Sequence, residues 1–159
     1  MSLETLHFFD LNGPKITAHD LAQFERDYGV HVPAELKTLF LRMNDCLLEN
    51  PIEDSTLEYS IVACAGIEGG VMPERWVGIA SNGMNHLLDL FGTSLGEHVL
   101  PFCRDPGGSI FMVAMDGERQ VGVYFVATDE PYMDGDVKRY QTYWLADNLT
   151  DFAAKITFI

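Results

Sequence analysis

The chain has 159 residues, 47% of them apolar, and 24 acidic against 10 basic side chains give a formal net charge of −14. That length suits one domain, residues 1–159, which buries roughly two-thirds of its unfolded surface without help from disulfides or metal. The charge excludes non-specific attachment to nucleic acid or an anionic membrane, and favours steered association with a basic protein partner.

In chain order, Thr17 opens a helix: its hydroxyl can cap free amides, and Asp20 stands at the third helical position, where a carboxylate is favourable. Leu21, Phe24 and Tyr28 make the apolar stripe, and Gly29 ends it. Pro33 starts a second helix at its first position, where a missing N–H costs least. Leu36, Leu39, Phe40 and Met43 form its inner face, and Asn44-Asp45 stops it; the short gap predicts a compact helical hairpin. Residues 49–55 read as an acidic loop, 57–65 as a strand, and Gly66, Gly69, Gly70 and Pro73 as breaks. Residues 76–80 read as a short strand, while 86–91 fit either a strand or a helical turn. Residues 99–103, 109–115 and 121–127 read as strands, with a tight turn at Asp105-Pro106-Gly107-Gly108. An acidic loop is expected over 129–136 and a further strand over 138–145. Asp147 or Asn148 then caps a last helix carrying Leu149, Phe152, Ala153 and Ile156. Helices, then strands, then a helix, with no βαβ alternation, predict an α+β fold with a mainly antiparallel sheet.

Cys46, Cys64 and Cys103 are scattered and contain no CxxC pair, so free thiols in a reducing compartment are expected. The first residues lack the basic and apolar regions of a secretory leader, and the longest apolar stretch, 61–67, is too short to span a bilayer. The expected location is the cytoplasm.

Catalytic and ligand motifs fit poorly. Gly92-Thr93-Ser94-Leu95-Gly96 has the GxSxG form of a nucleophile elbow, which makes a hydrolase using Ser94 the one nominal enzymatic alternative. Its partners should follow as acid then histidine, yet only Glu97 and His98 do so nearby, too close to fold back on their own neighbour; a surface turn is the simpler reading. Counting an EF-hand from Asp134 puts Arg139 at the required glycine and Leu145 at the required glutamate. The five histidines show no zinc spacing, and Gly66-Ile67-Glu68-Gly69-Gly70 lacks the dinucleotide-binding pattern. No cofactor and no metal are expected.

Three phrases carry a resemblance. The first is Ile16-Thr17 … Tyr28-Gly29-Val30 … Val32-Pro33-Ala34-Glu35-Leu36 … Phe40-Leu41 … Asn44. The second runs from Leu100-Pro101-Phe102-Cys103-Arg104-Asp105-Pro106-Gly107-Gly108 to Phe111 and on to Met115-Asp116-Gly117. The third is Ala146-Asp147-Asn148-Leu149-Thr150-Asp151-Phe152. In this order they resemble the SUKH superfamily, which includes Smi/Knr-type cell-wall regulators and bacterial immunity proteins. The resemblance implies a non-catalytic protein-binding domain: an immunity protein neutralising a cognate toxin, a nuclease among the candidates, or a regulatory adaptor. Either a monomer or a homodimer is compatible.

Within that frame Pro33, Leu36, Pro101, Phe102, Gly107, Gly108, Phe111, Asp116 and Phe152 are expected to be structural. Partner recognition is expected on acidic loops, in two clusters: Asp45, Glu49, Glu53, Asp54 and Glu58; and Asp129, Glu130, Asp134 and Asp136, where Tyr132 offers an aromatic anchor.

Overall fold

Thr17 and Asp20 cap each other's backbone. The Asp20 amide donates to Thr17 Oγ1 at 3.2 Å, and the Thr17 amide donates to Asp20 Oδ2 at 2.8 Å. The pair satisfies two amides that a helix start otherwise leaves bare. In the computed structural model, which describes residues 3–49, 60–115 and 119–158, this box opens helix α1 (Ala18–Tyr28). Gly29 closes it with a left-handed φ of 63°. Helix α2 (Ala34–Arg42) begins one residue later than the sequence predicts: Pro33 is its cap, with ψ at 146°, an extended geometry that the fixed proline φ accommodates. Both helices turn their buried residues, Phe24 and Leu36, Leu39 and Phe40, into the same core.

Glu25 ties the two helices. Its carboxylate accepts the Val32 amide at 2.9 Å and pairs with Lys37 at 3.1 Å and His31 at 3.2 Å. Burial pushes the Glu25 pKa up, but the Val32 amide, Lys37 and the neighbouring His31 outweigh it, so the net shift is downward. A depressed carboxyl contributes stability above its unfolded pKa and loses it as pH falls through the folded one. Glu25→Gln is therefore expected to cost about 1 kcal/mol at neutral pH and clearly less at an acid pH below the lowered folded pKa, read by urea unfolding. A deficit of equal size at both pH values would assign the effect to packing instead.

The strands in chain order are β1 (His7–Asp10), β2 (Asp45–Glu49), β3 (Ser60–Cys64), β4 (Ile67–Val71), β5 (Arg75–Val77), β6 (Val99–Arg104), β7 (Ile110–Ala114), β8 (Gly122–Asp134), β9 (Val137–Ala146) and β10 (Thr157–Phe158). Among the described residues the main sheet runs β1-β2-β5-β6-β7-β8-β9, and β10-β3-β4 form a second; every pairing is antiparallel. Helix α3 (Met84–Leu95) lies between β5 and β6, and α4 (Leu149–Ala154), capped by Asn148, follows β9. This is the α+β, antiparallel fold that the element order predicts.

Strand β7 explains the layering. Phe111 and Val113 belong to one apolar cluster, while Ile110, Met112 and Ala114 belong to another. This interior strand is thus buried on both faces, and it reads as an unbroken apolar run for that reason. On one face Trp76, Phe102 and Phe111 of the sheet pack with Phe24 of α1, Leu36 of α2 and Phe152 of α4; on the other, Leu87 and Leu95 of α3 cover the sheet.

Several expectations change. Residues 86–91, which fit either a strand or a helical turn in sequence, belong to a helix, with Met84, Leu87 and Leu95 buried against the sheet. Strands β1 and β2 have no counterpart in the sequence reading, being too short for periodicity to register. The presumed break after Gly66 is strand β4. Its Gly70, at φ 76°, lies so close to β3 that a β-carbon would come within 2.6 Å of the Val62 carbonyl. The glycine there allows close strand approach, and does not end the strand. The acidic loop at 129–136 is also a correction: it is the outer half of a β-hairpin formed by β8 and β9.

Candidate functional site

The two acidic clusters meet different fates. Asp45 is buried, and the Arg75 guanidinium grips it in two-pronged fashion, Nε to Oδ1 at 3.0 Å and Nη2 to Oδ2 at 2.7 Å. The pairing holds the Arg75 pKa above its ordinary value. Asp45 therefore welds β2 to β5 and offers no free charge. Glu49 is exposed at the end of β2. Glu53, Asp54 and Glu58 lie outside the described residues, as does Asp116.

The second cluster sits on a ribbon. β7 starts opposite Val126, so beyond that point β8 pairs with β9 alone. Pro131, Tyr132, Met133 and Asp134 lie opposite Tyr140, Arg139, Lys138 and Val137. A two-residue turn of Gly135 and Asp136 closes the hairpin, and Gly135, at φ 61°, fits a first turn position that needs glycine. Between the Ala127 and Pro131 pairings, Thr128, Asp129 and Glu130 have no residue opposite them, so β8 bulges. Asp129, Glu130, Tyr132, Met133, Asp134 and Asp136 are all exposed, and Met133 keeps 64% of its surface. Arg139 donates to Asp134 at 3.0 Å, and Tyr143 donates to Glu130 at 3.1 Å. That bond is the main cause of the raised Tyr143 pKa. Asp129 and Asp136 have no pairing partner among the described residues. The ribbon thus presents an aromatic and a thioether side chain between carboxylates, with Lys138 and Arg139 on the return strand.

The structure also joins residues that no local pattern links. The β6–β7 turn is built by Asp105: its carbonyl accepts the Gly108 amide at 3.1 Å, and its Oδ1 accepts the Ser109 amide at 2.7 Å. Ser109 Oγ in turn accepts the Thr128 amide at 3.2 Å, drawing this turn against the β8 bulge. A cleft of about 280 Å³ results, lined by Asp105, Ser109, Thr128, Asp129 and Glu130 together with apolar residues of β4 and β8. Asp105 and Asp129 meet only through sheet register, which sequence spacing does not reveal.

Ser94 lies in the last turn of α3, with Gly96 as its cap; the segment is helical where a surface turn was expected, and no strand precedes it as an elbow requires. The three thiols are buried, and burial, reinforced by Asp45, pushes Cys46 up to about 12. Among the described residues no three His, Cys, Asp or Glu side chains gather as metal ligands, and no helix is long and apolar enough to cross a membrane.

A family model matches residues 15–155 and describes the SMI1 / KNR4 family (SUKH-1). The chain belongs to this family. Neither a curated protein nor a solved structure matches it. The SUKH phrases map onto structural positions. Leu36, Phe102, Phe111 and Phe152 are fully buried, and Pro101 is buried beside a bulge in β6. Gly108, at φ 94°, completes the β6–β7 turn that runs from Asp105 through Pro106 and Gly107. These phrase residues are thus part of the scaffold, while Tyr132, Met133 and the carboxylates of the ribbon are exposed.

Proposed function

We propose that this chain is a non-catalytic immunity protein that neutralises a toxin domain of basic surface by direct binding. It works as a single cytoplasmic domain without a cofactor. The observation that carries the reading is the ribbon: an exposed Tyr132 and Met133 among Asp129, Glu130, Asp134 and Asp136, raised on two strands beyond the body of the sheet. Aromatic and thioether side chains are favoured interface anchors, and surrounding carboxylates speed encounter with a basic partner. A nuclease is one suitable target, because its phosphate-binding groove is basic. The family supports a protein-binding role of this kind or a regulatory one.

The first test is co-expression. Candidate toxin domains encoded near this gene are each expressed with and without the chain. Growth arrest relieved by the chain supports immunity; toxicity without relief, or no toxicity, favours a regulatory adaptor. With the partner in hand, Asp129→Lys, Glu130→Lys, Asp134→Lys and Asp136→Lys together are expected to weaken binding about 100-fold while circular dichroism stays native. Undiminished affinity would remove the ribbon from the interface.

A further inference from the structure

We propose that the cleft between β4, the β6–β7 turn and the β8 bulge is a receptor for one long basic side chain of the partner, arginine in preference to lysine. The inference takes its partner from the protein-binding reading above, but the recognition is a property of the cleft itself. At about 280 Å³ the space is smaller than a drug-sized ligand pocket of roughly 300–1,000 Å³, and suits a single side chain.

Its lining changes character with depth. Val71, Phe125 and Ala127 are buried and form an apolar floor; Asp129 and Glu130 are exposed and Asp105 half-buried, so carboxylates form the mouth. An aliphatic stem against apolar surface with its charge at a polar opening is the arrangement that arginine and lysine side chains adopt. No lysine or arginine within the chain pairs with Asp105, Asp129 or Glu130 among the described residues. Asp129 makes no hydrogen bond there, and Asp105 uses only Oδ1, on the Ser109 amide. Acceptor capacity is therefore left at the mouth. A guanidinium, with five donors in a fixed fork, fills more of it than an ammonium does. The hydroxyls of Ser109 and Thr128, bonded to each other's strands, hold the two sides of the cleft in place. β4 is an edge of its sheet among the described residues, so an extended partner segment has backbone groups to approach from that side.

The test needs no partner. The full chain, labelled with nitrogen-15, is titrated with N-acetyl-arginine methylamide, the corresponding lysine and norleucine amides, and guanidinium ion. The arginine probe is expected to give saturable amide shifts at Val71, Ser109, Thr128 and Asp129. Lysine should follow more weakly, and norleucine and guanidinium each at least about tenfold more weakly. Asp129→Asn with Glu130→Gln, both at exposed positions, should reduce arginine affinity about tenfold and leave the spectrum folded. Guanidinium binding as tightly as the arginine probe would overturn the inference, since it would mean simple ion pairing on an acidic surface. Shifts spread equally to Asp134 and Asp136 would do the same. Arginine binding in the cleft without any toxin partner in the co-expression assay would leave the cleft standing and fail the immunity reading; the reverse result would fail the cleft alone.

Discussion

Trp76→Ala is expected to lower the unfolding free energy by about 4 kcal/mol, among the largest effects of any single substitution in this chain. The side chain is fully buried at the centre of the larger core. Its ring lies 5.4 Å from Phe8, 5.1 Å from Phe102 and 6.0 Å from Phe152, centroid to centroid, so it joins β1, β6 and α4 in one aromatic cluster. Removing it leaves a void that these neighbours, held by separate elements, cannot collapse to fill. The indole N–H also donates to the Pro73 carbonyl at 2.9 Å. Trp76→Phe should therefore cost less, roughly 2 kcal/mol, by shrinking the ring and stranding that carbonyl. Guanidinium unfolding followed by circular dichroism measures both. The only other tryptophan, Trp144, is exposed, so the blue-shifted part of the emission should vanish with Trp76. A loss below about 1.5 kcal/mol for the alanine variant would mean that Trp76 is not central to the packing.

Asn44→Leu is expected to cost about 3 kcal/mol, although leucine is close in size and more apolar. Asn44 is only 4% exposed, and its amide is spent entirely on backbone. Nδ2 donates to the Pro14 carbonyl at 2.8 Å and to the Ile79 carbonyl at 2.6 Å, and Oδ1 accepts the Ile79 amide at 2.9 Å. Leucine strands all three groups, and each buried polar group left unmade costs about 1 kcal/mol or more. Gly78 belongs to the same joint: its amide donates to the Asn44 carbonyl at 2.7 Å, and a β-carbon on it would collide with Asn44 Oδ1. Asn44→Asp should be at least as harmful at neutral pH, because it turns an anionic oxygen toward two carbonyls. It should recover partly in acid: the introduced carboxyl has a raised folded pKa, so the charge penalty disappears as pH falls through it. Equal stability of Asn44→Leu and the native chain in urea would show that this network contributes nothing net.

These positions also mark how far the sequence could be read. Thr17 with Asp20, and Gly29, announce helix α1 at both ends because capping works between residues three or four apart. Asn148 announces α4 likewise, its Oδ1 accepting the Asp151 amide at 2.8 Å. β7 and the first half of β8 are legible because their apolar runs are long enough to exclude other states. β1, β2 and β4 are not: each is four or five residues long, and each becomes a strand only through its neighbours. The outer half of β8 is hidden by its composition. Asp129-Glu130-Pro131 reads as loop, and it is partly so, since a bulge sits there; only pairing with β9 makes 131–134 a strand.

The sequence alone settled the acidic character, the α+β class, both ends of α1 and the family phrases, since all of these depend on residue type or on neighbours within one helical turn. Tertiary structure alone decided which acids are available. Asp45 and Asp129 look equivalent in sequence, yet Asp45 meets Arg75 across a strand pair thirty residues on, whereas Asp129 stands on a bulge and forms no ion pair among the described residues. A carboxylate's role depends on the charge opposite it, and sheet register determines what lies opposite.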